Sequence, residues 1–72
     1  MTKYSVDKIN KMRDYVVNDL VANYHYDYNR AKDMALDSVF NKLLVEDTNY
    51  VFHYSVSYWA KEVNNEYCML FV

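Results

Sequence analysis

The sequence predicts an all-α fold: a small bundle of three main helices with a short extra helical turn before the last one. Three observations point there. The chain contains no glycine and no proline, and tight hairpin turns draw on residues that tolerate positive φ, which glycine usually supplies. Apolar side chains recur every three or four positions over long stretches, the period of an amphipathic helix. Asn and Asp stand where those stretches stop, and helices can turn corners on such residues.

The first element is the clearest. Ile9, Met12, Val16 and Leu20, with Val17, Val21 and Tyr24, form one apolar stripe, while Lys8, Lys11, Asp14 and Asn18 take the opposite face. Ser5 is placed to cap this helix and Asp7 lies in its first turn, where a negative charge meets the positive end of the helix dipole. The predicted span is 5–24. The run Tyr24-His25-Tyr26-Asp27-Tyr28 reads as a corner, with Asp27 capping a second helix. That helix is expected over 28–44, through Ala31, Met34, Ala35, Val39 and Leu43, with Phe40 and Leu44 widening the stripe.

Glu46-Asp47-Thr48-Asn49 ends it, and a short helical turn is expected over 47–52. Residues 50–59 also alternate as a strand would, with Phe52, Tyr54, Val56 and Tyr58 on one face. A lone strand has nothing to pair with, so the helical reading is preferred. It breaks near His53, restarts with Ser55 or Ser57 as N-cap, and lines Val56, Trp59, Ala60 and Val63 on one face over 56–65. Residues 67–72, Tyr-Cys-Met-Leu-Phe-Val, form an apolar tail expected to be buried within the fold or across an interface.

Length and composition narrow the function classes. Seventy-two residues make one domain, and a chain of that size hides only about 60% of its unfolded surface. Cys68 is the single cysteine, so no internal disulfide helps, and two scattered histidines supply no zinc set. Apolar residues make up 53% of the chain, including nine Tyr, three Phe and Trp59, which argues against disorder. The net charge of −2, with both signs interleaved, argues against a general polyanion binder. Residues 1–15 carry charges throughout, unlike a signal peptide, and no apolar run approaches the roughly 20 residues that cross a bilayer. The reading is a cytoplasmic protein that does not act on membranes.

Two patterns carry a resemblance. One is Tyr24 to Ala31, aromatic-x-aromatic-Asp followed by a charged turn and Ala; the other is Glu46-Asp47…Val51-x-His53-Tyr54-Ser55-x-x-x-Trp59-Ala60. In both, the chain resembles a group of small helical proteins of Gram-positive bacteria and their phages, over residues 9–63. The group often has Gly where this chain has His25, and the tail beyond Asn65 lies outside the pattern. The resemblance implies the helical layout and no assigned activity. The aromatic corner and the Ala after it are also similar to compact three-helix domains of the ubiquitin-associated type.

No constellation reads as catalytic. His53-Tyr54-Ser55 offers a base and a hydroxyl, with Cys68 as another nucleophile, but an oriented base and an oxyanion site are not visible. The simpler reading makes Ser55 a helix cap, His53 a loop residue bonded to its own backbone, and Cys68 a small buried hydrophobe. His25 and His53, even with Asp27 or Asp47, lack ligand spacing, so no metal or cofactor is expected. Tyrosines could stack on single-stranded nucleic acid, but Arg30 and Lys32 are offset by Asp27 and Asp33. Asp33 and Asp37 form an acidic stripe that reads as a solvated face.

The expectation is therefore a non-enzymatic protein–protein interaction module or small regulatory protein. Its candidate surface is Tyr58, Trp59, Tyr67, Met69, Leu70 and Phe71, because surplus aromatic and apolar residues are the material of interaction hot spots. A protein partner or a second copy in a homodimer fits it; a small nucleic-acid-associated regulator is the alternative.

Overall fold

The computed structural model describes residues 6–70, Leu70 by its backbone alone, and every element among them is helical. The order is α1 (Val6–Tyr24), α2 (Tyr28–Leu36), α3 (Val39–Glu46), α4 (Thr48–Phe52) and α5 (Val56–Leu70). The stripe read from the first stretch is the buried face of α1: Met12, Val16, Val17 and Leu20 enter the core, and Ile9, Val21 and Tyr24 pack at its margin. α1 lies against both α2 and α5, and α3 lies against α4. Ser5, expected to cap α1, falls outside the described residues.

The corner after α1 works without glycine. His25 takes φ 62°, the left-handed conformation that ends many helices, and the chain reverses so that the Tyr26 N–H donates to the Leu20 carbonyl at 3.4 Å. Asp27 then caps α2 as expected, its carboxylate accepting from the Asn29 N–H at 3.1 Å.

The long second helix is corrected: it is two helices, α2 and α3, broken at Asp37-Ser38. Ser38 is extended (φ −87°, ψ 161°), its hydroxyl accepting from the Asn41 N–H at 3.3 Å and donating to the Ala35 carbonyl at 2.6 Å. A hydroxyl two bonds from the backbone offers that backbone an alternative to continuing the helix. Asn41 seals the joint by donating to the Leu36 carbonyl at 3.2 Å and accepting from Arg13 Nε of α1 at 2.7 Å. The break re-phases the apolar stripe. A continuous helix would bury Val39 below Ala35, whereas here Phe40 and Leu44 point inward and Val39 is 56% exposed.

α4 is the expected short turn. Thr48 is buried and its hydroxyl donates to the Leu44 carbonyl at 2.7 Å, which satisfies it against the end of α3. Ser55 then caps α5, accepting from the Tyr58 N–H at 3.1 Å. α5 runs five residues beyond the predicted end at Asn65, because Tyr67 continues the stripe of Val56, Ala60 and Val63 and packs against the core.

A candidate docking groove between α3 and α5

The break that turns Val39 outward also opens a groove. It measures ≈ 720 Å³ and lies between α3 and α5, with Tyr50 of α4 closing one side. Val39 and Leu43 come from α3, Tyr50 from α4, and Tyr58, Glu62, Glu66 and Met69 from α5, over a floor of Phe40, Trp59 and Val63. The spacing 58, 62, 66, 69 places the α5 residues along one face of that helix.

The wall beside Tyr50 and Tyr58 is built of interlocked rings. Tyr54 stacks on Tyr58 with centroids 4.5 Å apart, Tyr58 meets Trp59 edge-on at 5.0 Å, and Tyr50 meets Tyr54 edge-on at 5.4 Å. Trp59 anchors the set from inside by lying against Phe40 at 5.5 Å. Aromatic side chains held this way present a large contact area with little rotamer freedom left to lose. Contact with the Tyr54 phenol raises the proton affinity of Tyr50, and partial desolvation followed by the Glu62 carboxylate raises that of Tyr58. Both phenols are therefore neutral donors at the groove's edge across the physiological range.

The residues expected to form an interaction surface divide. Tyr58 and Met69 are exposed and line the groove; Met69 is 81% exposed. Trp59, at 4% exposure, lies in the core on the apolar face read for it and reaches the groove only as part of its floor. Tyr67 turns to the other side of α5, where its ring packs edge-on against Tyr26 at 5.9 Å and its hydroxyl accepts from Arg30. The side chain of Leu70, and Phe71 entirely, lie outside the described residues. Cys68 is also corrected: it is exposed rather than buried. Val39, Leu43, Tyr50, Glu62 and Glu66 were missed by the sequence reading. The signal was the Asp37-Ser38 pair, since a cap there turns Val39 outward while Leu43 stays half-buried between the core and the groove.

The groups that invited a catalytic reading are engaged structurally. His53 Nδ1 donates to the Asn49 carbonyl at 3.1 Å, and the Ser55 hydroxyl is the α5 cap. Among the described residues no three His, Cys, Asp or Glu side chains gather to hold a metal ion. None of the helices among those residues is long and apolar enough to cross a membrane. Neither a family model, nor a curated protein, nor a solved structure matches the chain.

Proposed function

We propose that this chain is a non-enzymatic interaction module that seats a protein partner in the α3–α5 groove. The observation that carries the reading is an open, apolar and aromatic groove on a domain whose core is already closed beneath it. Concave apolar surfaces with a few placed polar groups are where proteins hold ligands and partners. The ring cluster supplies the rigid anchors typical of interface centres. A nucleic acid would bring phosphates towards Glu62 and Glu66, so the same groove disfavours that alternative.

The test compares the tagged chain with a Val39→Asp variant in capture from lysate with and without nuclease treatment, with circular dichroism as the check on folding. Val39 is half-exposed at the rim, so the substitution should leave the fold intact while placing a charge in the apolar surface. The wild type should retain a partner that the variant loses. Equal capture by both would take the groove out of the reading, and capture that vanishes on nuclease treatment would favour nucleic acid.

A further inference from the structure

The charge pattern of the groove specifies its occupant more closely. Among the described residues that line it, Glu62 and Glu66 are the acidic groups, and no Lys or Arg accompanies them. They lie four residues apart on α5, where like charges repel. Glu66 is partly occupied, accepting from the Val39 N–H at 3.1 Å, whereas Glu62 is exposed at the rim. Beyond Glu66, a second groove of ≈ 430 Å³ between α2 and α5 is lined by Asp27, Asp33 and Asp37, with Arg30 as the cation. Arg30 is itself drawn to Tyr67, donating to its hydroxyl and lying 6.0 Å from its ring centre. Acidic side chains thus outnumber basic ones in the lining of both grooves, although the chain as a whole carries a charge of only −2.

Length adds a second constraint. From Tyr58 to Met69 the groove-facing stripe of α5 extends about 16 Å at 1.5 Å per residue, three helical turns. An amphipathic helix of the same length lies in such a channel with apolar side chains at i, i+3 or i+4, and i+7. Tyr50 and Tyr58 offer ring surfaces to flanking cations.

We propose that the α3–α5 groove binds a three-turn basic amphipathic helix of a protein partner, its apolar side chains over Val39, Leu43 and Met69 and its lysines or arginines facing Glu62 and Glu66. The inference rests on the interaction-module reading and names the chemistry of the partner.

Panning a library of helical peptides about 12 residues long against the immobilised chain tests it, followed by titration of the enriched peptides by NMR. Enriched sequences should be net positive with one apolar face, and should shift the amides of Val39, Leu43 and Met69. Glu62→Lys should weaken them about fivefold or more, and Glu62→Gln less, since one rim charge is reversed or removed without touching the core. Enrichment of neutral or acidic peptides at the groove, or unchanged affinity in folded Glu62→Lys, overturns the basic helix and leaves the module reading standing. Peptides that bind the wild type and Val39→Asp alike remove the groove, and the reading with it. A concentration-dependent dimer that displaces the peptides gives the groove to a second copy and overturns the proposal.

Discussion

The indole N–H of Trp59 donates to the Val51 carbonyl at 2.8 Å, joining α5 to α4 through the floor of the groove. The same carbonyl accepts from the Tyr54 N–H at 3.2 Å, so the turn between the two helices is held at one oxygen. Trp59 is thereby a residue of the fold that shapes the groove from behind. A chain of this length has a total stability of roughly 5–10 kcal/mol, and removing a buried tryptophan side chain costs about 3–5 kcal/mol. Trp59→Ala should leave the protein marginal at room temperature in thermal unfolding. Trp59→Phe, which keeps most of the packing and loses the hydrogen bond, should cost about 1–2 kcal/mol. Equal stability of Trp59→Phe and wild type would show that the bond to Val51 contributes nothing.

Ser38 decides where α2 ends. Its hydroxyl is both acceptor for the Asn41 N–H and donor to the Ala35 carbonyl, and the side chain is 6% exposed. Ser38→Ala leaves the first turn of α3 without its cap and should destabilise by about 1–2 kcal/mol. Urea unfolding should show the loss as a lower midpoint at unchanged slope. A variant as stable as wild type would mean that packing of Phe40 and Leu44 alone sets the break.

Most elements were legible because each rests on local chemistry. The α1 stripe, the Asp27 cap, the turn over 48–52 and the Ser55 cap all follow from residues within a turn or two of one another. The α2–α3 break was not, because Ala31, Met34, Ala35, Val39 and Leu43 match a continuous helix. The bonds of Ser38 to Ala35 and Asn41 are local, and it is the tertiary bond from Arg13 of α1 to Asn41 that shows which phase prevails. The groove was hidden for the same reason: a half-exposed Val39 has no meaning until the phase is known. In the tail, helical period alone could have separated Tyr67 from Met69, since Tyr67 follows Val63 by four residues and Met69 does not share that face.

His25 at φ 62° carries a strain that glycine would lack. The left-handed conformation costs an L-residue about 1–2 kcal/mol, while glycine adds about 0.5–1 kcal/mol of unfolded-state freedom. His25→Gly should therefore stabilise by up to about 1 kcal/mol, and His25→Val, branched at Cβ, should destabilise. Since His25 is exposed, the comparison by denaturant midpoints isolates the backbone term. A destabilising His25→Gly would mean that the imidazole makes a contribution of its own.

Tyr26 links the corner to α5. Its hydroxyl donates to Asn64 Oδ1 at 2.6 Å, and its phenol is held above the ordinary value near 10 by burial first and then by Cys68 and Tyr67. The unfolded chain releases this proton at lower pH than the folded one, so above about pH 10 the unfolded state binds fewer protons and stability falls as pH rises. Below that value both states keep the proton, and the contribution is fully present. Tyr50 and Tyr58, also shifted upward, act in the same direction. Denaturant midpoints measured from pH 8 to 11 should be level at first and then decline. Tyr26→Phe should be less stable than wild type at pH 8, having lost the bond to Asn64, and should decline less steeply above pH 10. Parallel curves for the two proteins would show that the Tyr26 proton is not linked to folding, and that the alkaline loss comes from the groove tyrosines.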